Sequence, residues 1–219
     1  GSQVIGNKTS ITTPKLFELV IHGLKQQLKG APQKLSVNQK SEKIISFPSA
    51  DGKMENFKVS EHSNFDPVLA AKYPDIKSYV GQSLDDPSKV VYFSVSPLGL
   101  SSMEINADNS AVFIEPYTTD ASTYVVYKKS DKKDNLNKFE CTTIDDVKTQ
   151  LGTTITARPN ADDGLLRTFR LALSCTGEYA VYFGGTKAQA LAAMNNTMTR
   201  VNGVFEKDFS VRMVLIANN

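Results

Sequence analysis

Short apolar runs separated by turn signals recur between residues 43 and 127, and they constrain the fold more than any other feature of the sequence. The runs at 44–47 and 54–59 flank Asp51-Gly52, which predicts a β-hairpin. Further strands predicted from such runs are residues 78–82, 90–96, 101–106, 111–116 and 124–127. Short strands at this close spacing favour an antiparallel, sandwich-like domain.

Two helices are predicted around these strands. Residues 13–30 have apolar side chains at helical spacing, with Thr13 as a cap, Pro14 in the first turn and Gly30 at the end. Asp66-Pro67 opens a short helix over 68–72. An N-terminal helix and a short second helix should therefore pack on the sheet.

The pattern changes after residue 164. Residues 165–174 are predicted as a strand, Gly184-Gly185-Thr186 opens a long helix, and residues 211–217 read as a buried strand. The apolar stripe of the long helix consists of Leu191, Met194, Met198, Val201 and Phe205. If the strands are parallel, the three elements form a right-handed βαβ unit. Such a unit does not bury its own surfaces, so we expect another part of the protein or another chain to complete it. The fold class expected for the whole chain is α+β.

Composition excludes several classes of function. The 219 residues are 40% hydrophobic and 22% charged with a net charge of +2, which gives no electrostatic reason to expect a nucleic-acid partner. No apolar run is long enough to span a membrane. Gly1-Ser2 resembles a tag-cleavage scar. The alternating charges of residues 128–138 predict a solvated loop. The polar stretch at 142–164 predicts a linker or processing region.

Cysteines and histidines are too few for an independent metal site. The sequence contains two of each, Cys141, Cys175, His22 and His62, with no His-Glu-x-x-His and no Cys-x-x-Cys motif. The cysteines could form one bridge, be buried thiols, or include one functional thiolate. Cys175 follows an apolar strand and is predicted to lie in the core. Both histidines are predicted at the surface, although His62 could instead cap a zinc ion. The glycosylation sequon at Asn195 is discounted because it falls within the long helix.

Two stretches of the chain together resemble one family of enzymes. The segments LRTFRLALSCTGEYA (166–180), FGGTK (183–187) and TRVNGVFEKDF (199–209) are similar to the start of the catalytic domain of secreted bacterial reprolysin-like metzincins. The upstream features resemble the pro-region of those enzymes, and they are Phe47-Pro48, Asp51-Gly52, residues 57–61, residues 69–79, Gly81, Asp85-Asp86-Pro87, Gly99 and residues 113–116.

The resemblance implies a division of the chain and a role for each part. It implies a pro-region at 3–141, a linker or processing region at 142–164, and the N-terminal part of an adamalysin-type zinc metalloendopeptidase domain at 165–219. The zinc motif of that family is not in the sequence, so we expect the chain itself to bind no zinc and to be inactive, and its catalytic residues are not carried over. The partners implied are the rest of the catalytic domain and, for the parent enzyme, protein substrates. The parent enzyme is expected to be extracellular, with its signal peptide already removed.

Three residues are candidates for roles in latency and processing. Cys141 could supply a thiolate to the open zinc position of the enzyme, as in a cysteine switch, although the Gly that follows many such cysteines is replaced by Thr142. A structural thiol or a bridge to Cys175 are the alternatives. Arg158 and Arg167 are candidate cleavage points.

Two other interpretations of the chain remain open at this point. The β-rich domain could be a non-enzymatic module that adheres to protein or carbohydrate at a cell surface, in which case Cys141 has no role. The chain could also be a proteolytic or engineered fragment of a larger protein.

Overall fold

The computed structural model describes residues 2–8, 10–34, 41–132 and 164–219. The strands are β1 Lys15–Glu18, β2 Ile44–Pro48, β3 Met54–Glu61, β4 Lys77–Ser83, β5 Val90–Ser96, β6 Gly99–Ile105, β7 Ala111–Pro116, β8 Thr123–Lys128, β9 Arg167–Leu171 and β10 Val211–Leu215. The helices are α1 Ile21–Leu28, α2 Pro67–Lys72, α3 Gly177–Tyr182 and α4 Lys187–Phe209. The predicted α+β class is therefore confirmed.

Eight strands form one curled antiparallel sheet in the order β1-β8-β7-β6-β5-β4-β3-β2. From β2 to β8 every strand pairs with its neighbour in sequence. Short connections, such as the turn around Gly52, whose φ is 86°, join most of these pairs, whereas residues 62–76, which include α2, join β3 to β4. The predicted hairpin and the five further strands are thus confirmed, within one or two residues at their ends. They lie side by side in a single sheet.

The N-terminal segment differs from its prediction in its first half. Residues 13–30 were expected to be one helix, but Lys15–Glu18 pairs antiparallel with residues 123–126 of β8, and only Ile21–Leu28 is helical. Adding β1 gives the backbone of β8 a second pairing partner, a gain in hydrogen bonds that outweighs the weak helical preference of four residues.

The two faces of the large sheet are different in character. One face is apolar and packs beneath Leu24 and Leu28 of α1, with Phe57, Phe93 and Val126 fully buried at its centre. Since side chains alternate along a strand, residues 92, 94 and 96 of β5 point to the opposite face. That opposite face carries buried serines and contacts α4.

The C-terminal elements form the βαβ unit that the sequence predicts. β9 and β10 are parallel, with Val211 opposite Arg167, and the 23-residue helix α4 connects them, with Thr186 capping it through Gln189 N. The sequence did not predict α3, a short helix capped by Thr176. Among the described residues, no helix has both the length and the apolar character needed to cross a membrane.

Candidate functional site: the interface between the sheet and helix α4

The unit of β9, α4 and β10 does not stand apart from the large sheet. Helix α4 contacts β4, β5 and β6, and its Leu191, Met194 and Met198 are buried against Leu69 of α2 and Leu215 of β10. This apolar cluster also includes Phe65 and Ile76. We call the whole contact, with the polar groups described below, the α4 interface.

The side chain of Asn64 makes four hydrogen bonds across the α4 interface. Asn64, 2% exposed, donates from Nδ2 to Asn195 Oδ1 at 3.1 Å and to Thr199 Oγ1 at 2.9 Å. Its Oδ1 accepts from Asn202 Nδ2 at 2.9 Å and from Arg212 Nη2 at 3.2 Å. All the hydrogen-bonding capacity of this buried amide is therefore directed at α4 and β10.

The backbone beside Asn64 extends the small parallel sheet. Leu215 N donates to Asn64 O, and Asp66 N donates to Leu215 O, both at 2.8 Å. Phe65 thus forms a parallel bridge to Leu215, on the edge of β10 away from β9. The segment that precedes α2 thus adds one parallel bridge to the two-stranded sheet of the C-terminal unit.

Small residues bring α4 close to the sheet along its length. Ser94 Oγ donates to Asn196 Oδ1 at 2.6 Å. About two turns further along, a Cβ placed on Gly203 would lie 2.8 Å from Cδ2 of the Tyr92 ring and 3.0 Å from Met103 Cε. Any larger residue at position 203 would have to displace the sheet side chains.

A charged cluster lies at the β6–β7 side of the interface. Arg200 of α4 donates to Ser101 Oγ at 2.9 Å, is paired with Glu115, and has its Cζ 5.0 Å from the centre of the Phe113 ring. Lys8 is paired with the same carboxylate, and burial, followed by the positive charge of Arg200, lowers the pKa of Lys8 to about 8. The Glu115 carboxylate is therefore paired with two cations, Arg200 of α4 and Lys8 of the N-terminal segment.

A second charged cluster lies at the end of β3. His62 Nε2 is 3.0 Å from Glu206 Oε1, and Arg212 Nη1 is paired with the same carboxylate. Arg212 also donates from Nη2 to the carbonyl of His62 at 3.1 Å and to the carbonyl of Ser63. Its side chain is 6% exposed, and it links Glu206 of α4 to the backbone that follows β3.

A polar cavity of about 340 Å³ opens elsewhere, at the ends of β3, β5 and β6. Lys89 Nζ lies 2.6 Å from Glu55 Oε2 and 3.5 Å from Glu104 Oε1 within it. Burial raises the pKa of Glu104, whose side chain is 8% exposed. The lysine is paired with both carboxylates, and no residue of α4 lines the cavity.

The structure tests only some of the residues singled out from the sequence. Cys141 and Arg158 lie outside the described residues, as does most of the predicted linker at 142–164. Arg167 is the exposed first residue of β9, where its backbone N donates to Ser210 O. The prediction that Cys175 lies in the core is wrong: the strand ends at Leu171, and Cys175 is exposed in the segment before α3.

The histidine predictions had different outcomes. His22 is exposed on α1, as predicted, with its Nε2 3.4 Å from Gln26 Nε2. The expectation that His62 is a surface residue is wrong, because Glu206 and Arg212 cover it and leave its side chain 12% exposed. No local signal could have found these partners, which lie about 150 residues later. Asn195 is 1% exposed within α4, consistent with discounting the glycosylation sequon.

The described residues do not fit a zinc site. No group of three His, Cys, Asp or Glu side chains capable of holding a metal ion occurs in the described part of the chain. His62 directs its Nε2 at a carboxylate that is already paired with an arginine, and that positive charge opposes a metal cation. The arrangement of these residues provides a contact between two parts of the chain.

The C-terminal side of this interface resembles a known protein family. Residues 166–219 match the family described as metallo-peptidase family M12B, reprolysin-like. The C-terminal unit is a protease-related region. The match includes β9, α3, α4 and β10, so the α4 interface joins a reprolysin-like region to the eight-stranded sheet. Enzymes of this family are in general zinc-dependent peptidases. No curated protein gives a significant match to the chain.

Proposed function

We propose that residues 3–141 form the pro-region of a secreted zinc metalloendopeptidase, and that this pro-region holds the start of the catalytic domain in a folded, latent form. The observation that carries the proposal is the docking of α4, which lies wholly within the reprolysin-like match, on the eight-stranded sheet. The eight-stranded sheet thus contacts a protease-related region.

The mixed chemistry of the interface suits a contact that must later separate. Asn195, Thr199 and Asn202 are polar residues buried on α4, and water can satisfy them once the pro-region has left. The fit is also incomplete, since Asn195 Nδ2 and Arg200 Nε are buried without hydrogen-bond partners among the described residues. A permanent core would be more apolar and fully paired.

The backbone bridge between Phe65 and Leu215 supports a role of the pro-region in folding. β10 donates a backbone hydrogen bond to residue 64 and accepts one from residue 66 on one edge, and it pairs with β9 on the other. A parallel two-stranded sheet is marginal without further pairing or packing. The pro-region would stabilise it while the catalytic domain forms.

The partner we propose for the C-terminal unit is the rest of its own catalytic domain. Several apolar side chains of the reprolysin-like region are exposed: Phe169 (54%), Val181 (73%), Tyr182 (68%) and Phe209 (65%). The rest of the catalytic domain would cover these apolar side chains. The zinc ligands of the parent enzyme would belong to that covering part, and protein substrates would bind there.

The test uses the precursor that carries the complete catalytic domain, with a site for a sequence-specific protease inserted within 142–164. We expect little hydrolysis of labelled casein before the cut, and a rise of at least about tenfold after the cut and separation of the pro-region, since a latency contact of about 1.4 kcal/mol already gives a factor of ten. A precursor as active before the cut as after it would contradict the proposal. An adhesion module would produce that outcome.

Cys141 is tested in the same precursor. If its thiolate occupies the zinc position, Cys141→Ala should release activity before any cut, whereas the matched change Cys175→Ala at an exposed cysteine should not. Latency that survives Cys141→Ala would mean that the pro-region blocks the cleft sterically, and the cysteine-switch prediction would be wrong.

A further inference from the structure

The cluster of His62, Glu206 and Arg212 lies across the boundary between the two regions. His62 follows the last residue of β3, Glu206 lies in the last turn of α4, and Arg212 is the second residue of β10. His62 Nε2 is 3.0 and 3.2 Å from the two oxygens of Glu206. The only other histidine in the sequence, His22, lies exposed on α1 and has no contact with Glu206 or Arg212.

The charges of the cluster are balanced when His62 is neutral. Glu206 and Arg212 then form a closed pair of one anion and one cation, and the imidazole donates a hydrogen bond to the anion. The other titratable groups that face the cluster are Lys34, from the segment after α1, and Tyr92, from β5. Neither of them adds a negative charge near neutral pH.

Protonation of His62 would disturb this balance. It would place a third cation, beside Arg212 and Lys34, in a site that is largely shielded from water, with Glu206 as the single compensating anion. Burial, above all, lowers the pKa of His62; the hydrogen bond and charge of Glu206 oppose the effect, and Arg212 and Lys34 add to it. The protonated form is therefore disfavoured while the interface is closed.

We propose that His62 is an acid-sensitive latch: below neutral pH its protonation weakens the α4 interface and favours separation of the eight-stranded sheet from the reprolysin-like region. The biological meaning of this latch, release of the pro-region on acidification, rests on the proposed function. The pH dependence of the contact itself does not.

The direction and size of the effect follow from proton linkage. In the separated state His62 is hydrated and titrates near its ordinary pKa of about 6.5, whereas the closed state holds it at a lower pKa. The separated state thus binds more protons as the pH falls through about 6.5. The opening equilibrium should shift by up to about tenfold per pH unit below that point, and it should be flat above about pH 7.5.

The test is hydrogen–deuterium exchange of the full chain between pH 5.5 and 8, with exchange rates corrected for the intrinsic pH dependence. We expect protection of α4 and β10 to fall about three- to tenfold from pH 7.5 to 5.5 in the unmodified chain. His62→Gln, whose amide can still donate to Glu206 but does not titrate, should abolish that dependence. His22→Gln is the matched control and should behave as the unmodified chain.

A second measurement does not depend on how His62→Gln folds. Proton NMR of the unmodified chain should give two imidazole Cε1–H signals, which His22→Gln assigns. We expect the His62 signal to titrate below the ordinary histidine pKa of about 6.5. A His62 pKa at or above about 6.5, protection that does not change with pH, or a pH dependence retained in His62→Gln would each overturn the latch. Those outcomes leave casein hydrolysis by the precursor unaffected, so failure of the latch is distinguishable from failure of the proposed function.

Discussion

Gly203 gives the sharpest test of how α4 packs on the sheet. A Cβ at this position would lie 2.8 and 2.9 Å from Cδ2 and Cγ of Tyr92, and 3.0 Å from Met103 Cε. Met103 can move its terminal methyl group, but Cγ of Tyr92 is the ring atom nearest the β5 backbone and has little freedom. Gly203→Ala therefore forces the helix and the sheet apart by several tenths of an ångström.

Two opposing contributions determine the size of the effect. Overpacking of this kind costs about 1–3 kcal/mol. Replacing glycine by alanine inside a helix returns about 1 kcal/mol. The expected net loss for Gly203→Ala is therefore about 1 kcal/mol. Gly203→Leu, which adds three more carbons against the same ring, should lose more, although leucine is also a good helix former.

The matched control is the same substitution in a helix with free space. Gly23 lies in α1, and a Cβ there would meet no atom within 4 Å, so Gly23→Ala should gain about 0.5–1 kcal/mol. Urea denaturation followed by far-ultraviolet circular dichroism at pH 7.5 measures both changes. The reasoning is refuted if Gly203→Ala stabilises the protein as Gly23→Ala does, because α4 would then not pack tightly on Tyr92.

Three further substitutions test individual contacts by the same urea denaturation. Asn64→Ala should cost about 2–3 kcal/mol, since it leaves several buried partners without a hydrogen bond, and a cost below about 0.5 kcal/mol would mean that these bonds do not form. Lys89→Met leaves two facing carboxylates and should cost about 2 kcal/mol at pH 7. Because burial already raises the pKa of Glu104, that deficit should shrink as the pH falls towards about 5, and a deficit independent of pH would contradict the pairing. Tyr124→Phe removes the acceptor for Leu100 N, 3.2 Å away, and should cost about 1 kcal/mol, whereas Tyr182→Phe at an exposed ring should cost nothing measurable.

Local signals predicted most of the large sheet. β5 and β7 begin and end where their apolar runs do, and the Asp51-Gly52 turn joins β2 to β3. Thr186 caps α4, whose predicted apolar stripe is buried at Leu191, Met194 and Met198. Such features depend on residues close together in sequence, which explains why they could be found without a structure.

Features set by distant pairing could not be found in this way. Lys15–Glu18 is a strand because β8 lies beside it, more than 100 residues later in the chain. The polar residues on the buried side of α4 have the same explanation: without Asn64 in place, Asn195 and Asn202 look like solvent-facing positions. The α4 interface was therefore missed as a site, and His62 was assigned to the surface.

The composition of the α4 interface has a consequence for how the two regions separate. Its apolar part, around Leu191 and Leu215, provides a driving force that changes little with pH. Its polar part is charged at both ends, through Arg200 with Glu115 and through Arg212 with Glu206, so it depends on protonation and on the intact geometry of both sides. A contact built this way is stable when all its partners are in place and loses stability in one step when a single partner changes charge. The pro-region that we propose, which must first hold and later release its enzyme, would require this property.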